Sequence, residues 1–323
     1  MALHSSASQP RRHAKGRRLT SAPPPHEQPW MRRAATLPVG DALGHYIEHF
    51  LEMSSLAPST AYYYKRHLAA LSRAYPGKPP SQYTTLDLTT FIAGRSKDKA
   101  PSTRKTLCVV IRNFFRWLHE LDVIPRDPAA PIKTPKVPPA EPRYLDQEDV
   151  SRLLRAAHRD LAFQAVIALA AYAGMRRGSI HSLKWDDVDF DARTITVRHA
   201  KNGRHYIVPM APKLRTILQC WRDASKGNDC GYVYAHPHKG SWRPYYYTRT
   251  NNKFHKYAER AGISPEAGLH DLRRTFATTL HNNGVDIAVI SRLLGHADIS
   301  TTMKHYAFTL DESKKEAVLT LDY

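Results

Sequence analysis

The chain has few cysteines, few acidic side chains and no long apolar run, and each shortage excludes something. Cys108, Cys220 and Cys230 are its three cysteines, an odd number without metal-like spacing, so a reducing cytoplasm is expected rather than a disulfide framework. The longest nearly apolar run, LAFQAVIALAAYAGM from Leu161 to Met175, is shorter than the ~20 residues of a membrane-spanning helix and reads as a buried helix. No apolar segment follows the charges of MALHSSASQPRRHAKGRR, so no secretory signal is expected. There is no carboxylate cluster suited to a metal and no phosphate-cradling glycine loop, so neither metal nor other cofactor is expected.

Positive charge, by contrast, is abundant. Lys and Arg number 48 against 29 Asp and Glu, a formal net charge of +19 spread along all 323 residues. Polyanions are the partners such a field attracts, and the length suits two domains. Residues 1–36 carry seven basic residues, one Glu and five prolines with almost no apolar periodicity, which suits a disordered basic arm.

From residue 37 to 123 the pattern is that of a small helical bundle. Leu43, Tyr46, Ile47, Phe50 and Leu51 share one helical face; Tyr63, His67, Leu68 and Leu71 share a second. A short third helix falls around Leu86 to Ile92. The fourth opens at Ser102 and sets Leu107, Val110, Ile111, Phe114, Leu118 and Leu121 along one stripe. On the polar faces Lys65, Arg66, Arg104 and Lys105 are candidate DNA contacts. Residues 124–143 contain seven prolines and read as an extended, semi-rigid linker.

Residues 144–310 form the second domain, mostly α with a small antiparallel sheet. Helices are expected at Asp146 to His158, Leu161 to Ala173, Tyr246 to Ala261, His270 to Asn282, Asp286 to Leu294 and Thr301 to Tyr306. A hairpin is expected around Asn202-Gly203 within RTITVRHAKNGRHYIVPM, and a strand-like piece at Tyr232 to His236. Residues 311–323 form a tail whose apolar patch is too small to fold alone.

Four stretches of this domain hold chemistry. AGMRRGSI places Arg176 and Arg177 after a glycine that ends a buried helix; the hairpin carries Lys201; LHDLRRTFATTL puts His270 and Arg273 three apart on one helix face; LLGHADISTTMKHY ends in Tyr306, ten residues past His296. Singly, each has an ordinary structural explanation, such as a salt bridge or a helix-terminal cation. Together they make an inventory for phosphoryl transfer by a protein nucleophile: cations for the phosphate oxygens, proton-transfer groups, and a hydroxyl to attack.

The order and wording of AGMRRGSI, the hairpin lysine, HDLRRTFATTL, LLGH and TTMKHY closely resemble the tyrosine recombinases, or phage-type integrases, including the Xer recombinases. The resemblance implies a SAM-like helical core-binding domain followed by a catalytic domain. By that resemblance Arg176 and Arg273 bind the non-bridging oxygens of the scissile phosphate and His296 hydrogen-bonds it. Lys201 protonates the leaving 5′ oxygen, His270 moves protons near the tyrosine, and Tyr306 is the nucleophile. It implies double-stranded DNA with short inverted repeats as substrate, and a homotetramer on two sites or pairing with a related recombinase. Arg177, Arg243, Arg249 and Lys253 join the candidate DNA contacts. Ser179 departs from the acidic residue common at its position, and Arg274 stands where a histidine is common. Two other readings remain open: a topoisomerase-like enzyme that relaxes one duplex, and a non-catalytic DNA-binding relative.

Overall fold

The computed structural model describes residues 39, 58–137, 143–198, 205–296, 298–300 and 302–303. The basic arm, the first expected helix apart from Val39, the hairpin tip with Lys201, the segment with Tyr306, and the tail lie outside the described residues. The chain divides into two compact units, Met1–Pro139 and Ala140–Tyr323.

The first unit contains α1 (Pro58–Ala74), α2 (Thr85–Ser96) and α3 (Pro101–Glu120). Pro101 opens α3, where its missing N–H costs no helical hydrogen bond. Thr84 and Asp87 form a reciprocal capping box that starts α2. The stripe on α3 is buried as its spacing demands: Leu107, Val110, Ile111, Phe114 and Leu118 meet Leu68 and Leu71 of α1 and Leu88 and Ile92 of α2 in one core. Each such side chain contributes ~1.5–3 kcal/mol on burial. Leu121 is only partly buried.

The proline-rich stretch is docked over its first part rather than extended. Ile124, Ala129 and Ile132 join the same core, Thr85 Oγ1 donates to the Pro128 carbonyl at 2.8 Å, and Arg112 Nη1 donates to Thr134 Oγ1 at 3.2 Å. The apolar residues between the prolines supply the reason, since each gains by leaving water.

The second unit is built around α5. Its elements run α4 (Gln147–Ala156), α5 (Leu161–Tyr172), α6 (Arg177–Ser182), β1 (Val188–Asp189), β2 (Thr194–Val197), β3 (Tyr206–Pro209), α7 (Pro212–Ala224), β4 (Ala235–His238), β5 (Ser241–Pro244), α8 (Arg249–Arg260), α9 (Leu269–Asn282) and α10 (Ile287–Leu293). Helix α5 is apolar all round and packs against both α7 and α9, as a helix without a polar face must. Strands β1, β2 and β3 form an antiparallel sheet, and Val197 pairs with Tyr206 at the last described rung before the hairpin tip. Strands β4 and β5 form a second small sheet.

Two glycines bring the functional segments close. Gly174, at φ +58° just past α5, lies where a Cβ would meet the Phe276 ring at 2.5 Å. Gly295, at φ +59° just past α10, lies where a Cβ would come within 2.6 Å of Tyr206 Cδ1. Both the left-handed backbone and the absence of a side chain are required there.

Candidate active site

Arg176 leaves the turn after α5 and stands as the residue preceding α6. Its Nη1 donates to the carbonyls of Leu294 and Gly295 at 3.1 and 3.4 Å. Arg273, in the middle of α9 and 4% exposed, donates from Nη2 to the same Leu294 carbonyl at 2.7 Å. Its Nη1 donates to the Gly174 carbonyl. Two guanidiniums from separate helix–turn units thus converge on the end of α10. Helix C-terminal carbonyls carry partial negative charge, so each arginine is held by the group that suits it.

His296 completes the cluster. Its Nε2 lies 3.0 Å from Arg273 Nη2, and its Nδ1 lies 2.6 Å from Thr302 Oγ1. A guanidinium has no acceptor, so here Nε2 accepts and Nδ1–H donates to Thr302; to bind a phosphate oxygen Nε2 takes up a proton and leaves Arg273, while Nδ1–H stays on Thr302. Thr302 is 1% exposed, and it ties the LLGH turn to the segment leading to Tyr306.

His270 sits in the first turn of α9, exposed at the surface. Desolvation holds its pKa below the usual histidine value, with Arg274, Arg273 and Arg176 adding to the effect and Asp271 opposing it. A neutral imidazole surrounded by cations is a competent proton acceptor near neutral pH. Asp271 receives the Gly268 N–H at 2.9 Å and Arg274 Nη1 at 2.9 Å, which starts α9 and engages the second arginine of LRR away from the pocket. Ser179, the departure from the usual acidic residue, is buried in α6 with its carbonyl accepting from Ser182 Oγ at 3.2 Å.

The structure therefore gathers Arg176, Arg273, His270 and His296, while Lys201 and Tyr306 lie outside the described residues. Of the candidate DNA contacts, Lys65, Arg66, Arg104, Lys105, Arg243 and Arg249 are exposed. Arg177 lies 3.9 Å from the centre of the Tyr247 ring and donates to Asn251 Oδ1 at 2.7 Å. Lys253 is engaged within the protein. Its ammonium is half-buried in an ion pair with Asp160 Oδ2 at 2.6 Å and a 3.2 Å hydrogen bond to Tyr245 Oη, and Tyr257 Oη donates to the same carboxylate at 2.9 Å. Asp160 also caps α5, so Lys253 neutralises a structural carboxylate.

Thr302 and Tyr206 escaped the sequence reading. A hydroxyl six residues beyond His296 and an aromatic beside the hairpin tip were visible, but nothing in their spacing marks them. Among the described residues no group of three or more His, Cys, Asp or Glu gathers as a metal site, and no helix is long and apolar enough to cross a membrane.

Two arginines that share the Leu294 carbonyl, with His296 on one of them and His270 within their electrostatic reach, make a site suited to a phosphodiester. The comparisons agree. Residues 143–312 match the phage integrase family. A tyrosine recombinase XerD from Ralstonia nicotianae is 31% identical over 284 residues, covering 83% of this chain and 91% of that protein. A lambda integrase dimer bound to a core site shares the fold with a TM-score of 0.68 at 18% identity, over 86% of this chain and 81% of that one. A lambda integrase tetramer bound to a Holliday junction does so with a TM-score of 0.67 at 18% identity, over 84% and 82%. The chain belongs to the phage integrase family of tyrosine recombinases, enzymes that cut and rejoin DNA strands at specific sites.

Proposed function

We propose that Arg176, Arg273 and His296 hold the scissile phosphate of a DNA strand while Tyr306 attacks it. The convergence of Arg176 and Arg273 on the Leu294 carbonyl carries this reading, because it leaves two planar donor forks beside one another where a phosphate presents two non-bridging oxygens. The Tyr306 oxygen forms a bond to phosphorus as the bond to the 5′ oxygen breaks. Its proton passes toward His270, and Lys201 delivers a proton to the leaving 5′ oxygen. A 3′-phosphotyrosyl link and a 5′ hydroxyl result, and attack by another strand's 5′ hydroxyl reverses the chemistry and completes the exchange. The positions of Lys201 and Tyr306 in their motifs support their roles.

The substrate is double-stranded DNA with short inverted repeats in the cytoplasm, engaged by a tetramer on two sites or by this chain paired with a related recombinase. The DNA-bound dimer and junction-bound tetramer among the structural neighbours support that assembly. Residues 37–123 act as the core-binding domain, residues 144–310 as the catalytic domain, and the tail as a subunit contact. Exposed Lys65, Arg66, Arg104 and Lys105 fit phosphate contacts from the first unit.

A nicked duplex carrying the recognised site, which traps the covalent intermediate by losing its short 5′ fragment, tests the assignment. The parent forms a protein–DNA adduct and Tyr306→Phe forms none. An adduct that persists in Tyr306→Phe, or its absence in the parent, rejects it.

A further inference from the structure

Tyr206 begins β3, five residues after Lys201 in the sequence. Its ring lies so close over Gly295 that no Cβ fits between them. Gly295 is the residue whose carbonyl receives Arg176 Nη1. The Tyr206 hydroxyl is shielded from solvent and has no hydrogen-bond partner among the described residues. The ring therefore stands on the same turn whose carbonyl Arg176 engages.

A buried phenol without an acceptor is a cost that a folded chain rarely keeps unless something else meets it. Water does not reach it, and the nearby carbonyls of Leu294 and Gly295 are taken by arginine donors. The ring position is equally constrained: a left-handed glycine at the turn is what lets the ring seat against the backbone that Arg176 engages. A phosphate oxygen drawn to Arg176 supplies the missing acceptor once the side chains that shield the hydroxyl give way to it.

We infer that Tyr206 is a further phosphate-binding residue of the recombination site, donating its hydroxyl hydrogen bond to a non-bridging oxygen of the phosphate held by Arg176. This assignment rests on the recombinase reading above. It gives β3 a second function. The strand that follows Lys201 in the sequence also supplies a donor to the oxygen on which charge accumulates.

Tyr206→Phe removes the oxygen and keeps the ring on Gly295. With the nicked duplex, single-turnover adduct formation is expected to slow by about 10- to 100-fold, the effect of one hydrogen bond to a charged group, while the unfolding midpoint stays unchanged or rises. A scissile methylphosphonate, in which a methyl group replaces one non-bridging oxygen, locates the contact. With one of its two stereoisomers the rates of parent and Tyr206→Phe converge. A Tyr206→Phe rate within twofold of the parent, or a gap that persists with both stereoisomers, overturns the assignment while leaving the recombinase reading intact. A parent that forms no adduct overturns both.

Discussion

Arg176 and Arg273, 97 positions apart in sequence, donate to one carbonyl oxygen, that of Leu294, at 3.1 and 2.7 Å. The shared acceptor positions both guanidiniums before any phosphate arrives. Their environments nevertheless differ. Arg273 is enclosed and also engages the Gly174 carbonyl and His296, whereas Arg176 is half-buried.

That difference predicts separable effects of Arg→Lys. In either position an ammonium cannot offer a planar fork, so adduct formation is expected to fall by roughly 100- to 1,000-fold, as for loss of one preorganised donor. Arg273→Lys also lowers stability, because the Gly174 and Leu294 carbonyls lose buried donors at about 1–3 kcal/mol each. Arg176→Lys shifts urea unfolding less. Equal shifts in the two variants would contradict this picture.

Gly295→Ala is expected to be damaging. The left-handed backbone costs an alanine about 1–2 kcal/mol, and displacing the Tyr206 ring adds the cost of overpacking, about 1–3 kcal/mol. Thermal unfolding measures the sum. Combining the change with Tyr206→Ala relieves the second cost and leaves the first, so the double variant is expected to be more stable than the two single losses added together.

The His296–Thr302 contact predicts a conservative rescue. Thr302→Val removes the acceptor for Nδ1–H and frees the ring to turn or change tautomer, with adduct formation reduced about 2- to 10-fold. Thr302→Ser restores the hydroxyl and most of the rate. If valine and serine variants cleave alike, the hydroxyl does not orient His296.

Acid sensitivity follows from His181. Burial, then Arg177, lowers its pKa from 6.5 to about 4 in the folded protein, where its Nε2 lies 2.8 Å from Thr250 Oγ1. Below 6.5 the unfolded chain takes up a proton that the folded chain refuses until about 4, so stability falls as pH drops through that window. His181→Gln is expected to flatten this part of the curve of unfolding free energy against pH. His270 titrates in the same direction, so cleavage is expected to decline once pH falls below its lowered pKa.

Lys253 and Arg249 separate structure from DNA contact on one helix. Lys253→Met leaves Asp160 without its cation, costing about 1–3 kcal/mol, with no change in the salt dependence of DNA binding. Arg249→Ala leaves stability nearly unchanged and reduces the slope of log affinity against log salt by about one phosphate contact. Titrations at several salt concentrations distinguish the two.

Much of the architecture was legible because periodicity reports burial directly. The α3 stripe from Leu107 to Leu118, the all-apolar α5 and the paired strands β2 and β3 announce their elements through side-chain pattern alone. Helix α7 went unread although Leu214, Leu218 and Trp221 recur at helical spacing and are buried, since its signal lies in a stretch otherwise rich in charge. The strand expected from Tyr232 begins at Ala235, after an isolated bridge between Tyr232 and Lys184.

By itself, the sequence determined the inventory: Arg176, His270, Arg273 and His296 in motif order, a glycine after each of two apolar helices, and a charge suited to DNA. Only the tertiary structure decided how each cation is used. Lys253 and Arg249 look equivalent in RTNNKF, yet one finds Asp160 from another element and the other does not, a distinction that no local pattern contains. The orphan hydroxyl of Tyr206 arises in the same way, because it depends on Gly295, 89 residues further on, allowing the ring to seat against its backbone. Local sequence sets backbone preference and which faces are apolar. The pairing of buried polar groups is settled between distant segments, where an unmet donor or charge costs most.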